Sequence, residues 1–281
     1  MDLQLRPLTI NPAALNGLSE KLIVSHHANN YTGAVKRLNA IRQQLSQLDW
    51  PSTPVFMING LKREELIAAN SAWLHELYFD GLGGDGVLPD AGLAVALARD
   101  FGSVERWRAE FTALAKAMGG GSGWALLSWS SREARLITHW AADHTHLLAG
   151  ATPLLALDMY EHAYHMDFGA KAAAYVDTFM QNIRWEAVTR NFSIAIEADA
   201  RPWVADPADV RGGAQIVDVR RATNYAQGAD RIAGAVWRDP VALETWSREL
   251  DSTRHVLVYC VHGHEVSRAA ALALRARGLD A

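Results

Sequence analysis

The segment LDMYEHAYHMDF, residues 157–168, sets Asp158, Glu161, His162, His165 and Asp167 among leucine, methionine, tyrosine and phenylalanine. An ionisable group is costly to bury unless it is paired or holds a metal. A fold that closes over this segment must therefore supply partners for it. Two earlier segments carry a histidine in similar company, His26 in VSHHANNY and His75 in AWLHELYF. Three imidazoles and the Asp158 carboxylate form a mixed nitrogen–oxygen set suited to a first-row metal such as iron, manganese or zinc. No cysteine lies nearby, which argues against a thiolate-bound metal. Spacing alone leaves two alternatives open: core or interface histidines, and Asp158 with His162 as a plain buried hydrogen-bonded pair.

The chain has 281 residues, which favours two domains. Hydrophobic residues make up 49% and charged residues 21%, with a net charge of -4, so neither a basic nucleic-acid footprint nor a membrane-docking run is present. The first twenty residues hold no apolar stretch suited to a signal peptide or a membrane span, so a cytoplasmic protein is expected. The single cysteine, Cys260, excludes an intrachain disulfide and agrees with a reducing compartment.

Mixed three- and four-residue spacing of Leu18, Leu22, Val35, Leu38, Ile41, Leu45 and Leu48 predicts a long amphipathic helix over 18–48. Further helices are expected at 62–79, 89–100 and 103–118, the second helix of the chain ending at the glycine-rich turn 80–86. WALLSWSSREARLITHW (124–140) reads as two short strands around a turn, and TPLLALDMY (152–160) as a buried third. Helices near 169–180 and 182–191 close this unit. Residues 192–212 read as a linker rich in proline, aspartate and alanine. Beyond it, strands at 214–220 and 255–260 alternate with helices at 241–250 and 267–277, and the stretch after the first strand reads as a loop. That alternation suggests a small parallel α/β unit.

LDMYEHAYHMDF resembles the D-x-W-E-H-A-Y-Y signature of the iron/manganese superoxide dismutases. LSEKLIVSHHANNYTGAVKRLN (18–39) resembles that family's first helix, AWLHELYFDGL (72–82) its second-ligand helix and GSGWALL (121–127) its G-S-G-W strand start. AAYVDTFMQNIRWEAV (173–188) is similar to its closing Y-V-x-x-F-x-N-x-x-N-W segment. The resemblance covers about residues 10–191. It implies an α+β fold, with a helical hairpin over 1–86 and an α/β domain with a three-stranded antiparallel sheet over 87–195. It also implies one iron or manganese ion per subunit, held by His26, His75, Asp158 and His162, that converts superoxide to oxygen and hydrogen peroxide. Glu161 would reach across a homodimer interface to the partner's ligand histidine, and Trp124 would line the metal pocket.

The departures are equally specific. The family histidine four after the first ligand is Asn30 here, and its gateway tyrosine eight after that ligand falls on Ala34; Tyr31 is the candidate substitute. Tyr160 and His165 stand where the family has tryptophan and tyrosine. The family glutamine beside the metal has no clear counterpart: one position that could supply it is Ser71, and the strand-end position falls on His139, with His144 the alternative.

VLVYCVHGHEVSRAAALALRARG (256–278) puts Cys260 between a hydrophobic strand and a helix, where backbone N–H groups and a helix N-terminus stabilise an anion and lower a thiol pKa. This resembles the active loop of rhodanese-like domains, whose cysteine carries sulfane sulfur as a persulfide. IVDVRRATNYAQGADRIAGAVWRDP (216–240) resembles the upstream D-V-R, Y-x-x-G and I-x-G-A pattern. The resemblance spans about 212–281, after a linker at 196–211, and implies an α/β domain; the family continues past RGLDA (277–281) with a further strand and helix, which leaves two alternatives, a shortened natural domain or an incomplete chain. Many members have arginine five after the cysteine, where Glu265 stands here, which weakens an anionic substrate site. The sulfur donor and acceptor are not readable. Two functions compete: a superoxide dismutase with an appended sulfur-handling module, and a metal-binding protein of the same fold, with weak or no dismutation, whose main chemistry is sulfur transfer at Cys260.

Overall fold

The computed structural model describes residues 2–89, 91–204, 213–228 and 230–281. The chain as far as Asp80 forms a helical hairpin. Ser19 caps α1 (Glu20–Ser25), its hydroxyl accepting from the Leu22 N–H, and is itself fixed by hydrogen bonds to the distant Asp167 carboxylate. The helix then widens into a π-helical turn at His26–Tyr31 before resuming as α2 (Thr32–Ser46). Such wide turns cluster at functional sites. Here it buries both His26 and Tyr31 while Asn30 stays partly exposed. The return arm, α3 (Val55–Asp80), packs along α2 and begins seven residues earlier than the apolar pattern suggests. Val55 and Phe56 in that first turn are exposed, so no core-facing periodicity marks the start.

Helices α4 (Gly92–Phe101) and α5 (Val104–Ala117) lead into an antiparallel sheet of β1 (Trp124–Ser130), β2 (Arg135–Ala141) and β3 (Ala151–Asp158), ordered β2-β1-β3. Every residue of the central β1 is buried, and its first residue, Trp124, pairs with Asp158 on one side and Ala141 on the other. Gly123 makes this start possible. Its φ is 126°, and a Cβ there would stand 2.0 Å from the Ala141 carbonyl oxygen. After β3 a single 3-10 turn (Glu161–Ala163) and the one-turn α6 (His165–Phe168) lead to α7 (Ala172–Gln181) and α8 (Trp185–Ala200).

The expected linker over 192–212 is corrected in its first part. Residues 192–200 complete α8, with Phe192, Ala195, Ile196 and Ala200 buried, and 201–203 form a 3-10 turn. Residues 205–212 lie outside the described residues. A parallel sheet ordered β5-β4-β6 follows, made of β4 (Gln215–Asp218), β5 (Val236–Trp237) and β6 (Val256–Tyr259). The short α9 (Ala222–Gln227), α10 (Leu243–Trp246) and the longer α11 (Glu265–Arg275) connect and cover it. The expected loop after β4 thus contains α9 and β5, both too short to show periodicity. Asp218, Arg220 and the Tyr259 hydroxyl form a hydrogen-bonded cluster under this sheet. Ala269, Ala270, Ala273 and Leu274 of α11 belong to the same apolar core as the antiparallel sheet, and α11 packs on α8 and α4. Among the described residues no helix is long and apolar enough to cross a membrane.

Candidate metal centre

Four elements from three separate stretches of the chain deliver the four side chains to one point. His26 comes from the π-helical turn, His75 from α3, Asp158 from the last position of β3 and His162 from the 3-10 turn that follows. Asp158 Oδ2 lies 3.1 Å from His26 Nε2, 3.2 Å from His162 Nε2 and 3.5 Å from His75 Nε2. The four donor atoms all lie within 4.8 Å of one another. His26, His75 and Asp158 are buried, and His162 keeps 29% of its side chain open to solvent.

Neighbouring backbone groups set the orientation of two of the ligand candidates, His75 and Asp158. His75 Nδ1 donates to the Ser71 carbonyl at 2.6 Å, which puts the lone pair on Nε2. Among the described residues that buried Nε2 has no hydrogen-bond partner, and neither has His26 Nδ1. Asp158 Oδ1 accepts from the Tyr160 N–H at 2.9 Å, leaving Oδ2 to face the imidazoles. Burial pulls His26 below the ordinary histidine range despite the pull of Asp158, and lowers His75 to about 3. Burial alone would raise Asp158, but hydrogen bonds from His162 and His26 outweigh it and hold the carboxyl well below its usual range. Near neutral pH, then, His26 and His75 are neutral bases and Asp158 is ionised. The His75 lone pair and the Asp158 oxygen are two electron-pair donors aimed at one buried point. A cation there satisfies both, and the three-nitrogen, one-oxygen set suits iron or manganese. The residues present fit such an ion.

Aromatic and imidazole rings close the surroundings. Trp124 is fully buried, edge-on to His75 with ring centroids 5.2 Å apart. Its indole N–H donates to His144 Nδ1 at 3.0 Å, so the His144 proton sits on Nε2. Burial lowers the His144 pKa and keeps the ring neutral. Tyr160 lies between two imidazoles, stacked on His144 at 5.0 Å and on His162 at 5.4 Å. Burial and the nearby Asp158 charge push its hydroxyl up to about 12. Tyr78 and Phe79 complete the wall at 5.1 Å from His26.

Two expected neighbours of the site are corrected. His139 sits within β2 opposite Leu126, and its Nε2 shares a hydrogen bond with Ser128 Oγ at 3.0 Å. Because β2 runs on to Ala141, the strand ends later than 139, and the loop beyond it folds His144 back over Trp124. His144, the alternative, is the imidazole beside the ligand set, 6.3 Å from the His75 ring. Tyr31 is buried, yet its hydroxyl donates to Glu76 Oε1 and accepts from the Arg6 N–H, both at 2.9 Å. Its ring meets His27 and Phe79, and its one proton is committed away from the ligands. Ala34 is a buried alanine on α2 with no polar function. Ser71 contributes its carbonyl to His75. Glu161 is exposed beside His162, and so is His165. Sequence reasoning did not find the stacking role of Tyr160. Its position two residues from both Asp158 and His162 was the available signal.

In the second unit Cys260 follows β6 and is half-buried, its thiol donating to Ser267 Oγ in α11 at 3.3 Å. His262 and His264 lie in the same loop with ring centroids 5.9 Å apart. Glu265 points away from the loop toward α8, where Ser193 Oγ donates to its carboxylate.

Comparison with known proteins agrees with both halves. Residues 89–191 match the family description "Iron/manganese superoxide dismutases, C-terminal domain", and residues 202–281 match "Rhodanese-like domain". A superoxide dismutase [Fe] of Cupriavidus metallidurans is 64% identical over 193 residues, covering 69% of this chain and 98% of that protein. A superoxide dismutase [Mn] 1 of Halobacterium salinarum is 34% identical over 203 residues, covering 69% of this chain and 96% of the relative. A superoxide dismutase [Fe] of Aquifex pyrophilus is 32% identical over 197 residues, covering 67% and 91%.

Proposed function

The chain belongs to the iron/manganese superoxide dismutase family, and from that premise we propose that it converts superoxide to oxygen and hydrogen peroxide at one iron or manganese ion, with a rhodanese-like sulfur-handling module appended. The observation that carries this reading is the convergence of three imidazole Nε2 atoms on Asp158 Oδ2. A bound iron or manganese would supply one-electron redox chemistry at this point.

The chain's own residues do the rest. His26, His75, Asp158 and His162 would hold the ion, with the Ser71 carbonyl and the Tyr160 N–H fixing two of them in the ligating orientation. Outer partners of this kind tune metal affinity and reactivity. His144, with its proton set on Nε2 by Trp124, offers a donor beside the ligands in the role of the absent glutamine. Trp124, Tyr78 and Phe79 exclude bulk water from the buried side, while His162 marks the open side. Glu161, exposed next to His162, supports a homodimer in which it pairs with a ligand histidine of the second copy. The lone cysteine supports a cytoplasmic setting.

Protein loaded separately with iron and with manganese, assayed for superoxide removal against the metal-free form, tests the reading. Turnover in either loaded form that is lost in His75→Ala supports it; background turnover with a full site defeats it. That second outcome would favour the competing reading of a metal-holding scaffold, which Ala34 and the committed Tyr31 hydroxyl motivate. Light scattering at twice the chain mass would support the dimer, and a monomer would exclude it.

A further inference from the structure

Glu265, the first residue of α11 and the end of the Cys260 loop, is engaged by the other half of the molecule. Its carboxylate accepts from Ser193 Oγ on α8 at 2.5 Å. Its Cβ lies so near Gly92, the first residue of α4, that a Cβ built on that glycine would stand 2.5 Å away. Glycine is needed at 92 for space, since only a residue without a side chain lets α4 approach this closely. The seam continues along α11. The nearly buried Arg99 is held by Asp100 and donates Nη1 to the Ala269 carbonyl at 3.0 Å, while Nη2 reaches the Ala134 carbonyl at 3.2 Å. Arg268 faces Glu197 of α8 at 3.7 Å. The small buried side chains of Ala269, Ala270 and Ala273 allow the close approach of the helices.

A chain of contacts therefore leads from the thiol into the metal-binding unit: Cys260 to Ser267, Ser267 through the first turn of α11 to Glu265, and Glu265 to Ser193 and Gly92. We propose that the metal-binding unit positions the Cys260 loop through Glu265, so that the accessibility of the thiol is set from α4 and α8. Glu265 is on this account a positioning residue. The proposal rests on the reading of Cys260 as the module's reactive thiol. Burial would raise the Glu265 carboxyl, but the hydrogen bonds from Ser193 and from its own N–H outweigh that and keep it ionised. Its negative charge lies at the positive end of α11, where it stabilises the helix start.

Cys260 is the only cysteine in the chain, so alkylation of the full metal-loaded protein by iodoacetamide reports it alone. Gly92→Ala, Ser193→Ala and Glu265→Ala are expected to raise the alkylation rate by about tenfold, the scale of losing one hydrogen bond to a charged group or its steric equivalent. Metal content and superoxide turnover should stay at the wild-type level in all three. Glu265→Gln, which keeps an acceptor for Ser193, should remain within about twofold of wild type. Gly92→Ala leaves every charge in place, so its faster reaction should come without a shift in the midpoint of the pH profile. Wild-type rates in the three alanine variants across that profile overturn the proposal. If Gly92→Ala does not fold, Ser193→Ala decides. Failure of wild-type Cys260 to form a persulfide with thiosulfate, with the alkylation differences intact, removes the sulfur role and leaves the positioning standing.

Discussion

Acid should destabilise the metal-free protein through His75, and the size of the effect follows from the two protonation values. In the fold the imidazole is lowered from 6.5 to about 3 because burial penalises its charged form. Below pH 6.5 the unfolded chain binds a proton at this position that the folded chain refuses, so stability is complete above that pH and falls as pH drops toward 3. Between pH 7.5 and pH 5 the loss from His75 alone is ~2 kcal/mol, and it is insensitive to the folded value as long as that stays below about 4. His26 is lowered for the same reason and adds to the loss in the same direction. The assay is urea unfolding of chelator-treated protein at the two pH values, compared with His75→Asn, whose amide nitrogen takes the place of Nδ1 as donor to the Ser71 carbonyl. The variant should lose ~2 kcal/mol less than wild type over this range. An equal loss in both proteins would refute the assignment of His75 as a buried neutral base.

Trp124→Phe removes the donor that sets the His144 proton, and it should lower turnover of the loaded enzyme by roughly tenfold with metal still bound; His139→Ala should leave turnover unchanged, and the reverse pattern would restore His139. Tyr31→Phe should keep turnover within about twofold while costing ~1 kcal/mol of stability through its lost bond to Glu76. A large loss of turnover in Tyr31→Phe would show that its hydroxyl serves the metal site after all.

The sequence raised the question of a metal site because ionisable residues in apolar company need a partner, but spacing left alternatives open. The family resemblance pointed to His26, His75, Asp158 and His162, whose donor atoms the fold brings within 4.8 Å of one another. The sequence showed the helices and the first sheet because their buried faces are long enough to repeat. What it hid was short or depended on a loop. β5 spans Val236–Trp237 and α9 Ala222–Gln227, each less than two full periods of any pattern. The choice between His139 and His144 turned on where β2 ends, and register is settled by pairing of Ala141 with Trp124, which no local signal announces. Residues 192–200 carry polar and small residues that read as linker, yet α8 continues through them because Ile196 and Ala200 face the core. Glu265 read as a defect in an anion site; the docking of α11 on α8 gives its carboxylate the Ser193 hydroxyl as a partner.

Metal analysis of the purified full chain tests the central claim most directly. One iron or manganese per chain is expected for the wild type, falling below about a tenth of that in Asp158→Ala, which deletes the carboxylate at the centre of the set. Wild-type metal content retained in Asp158→Ala, or a wild type that takes up neither ion, would contradict the account.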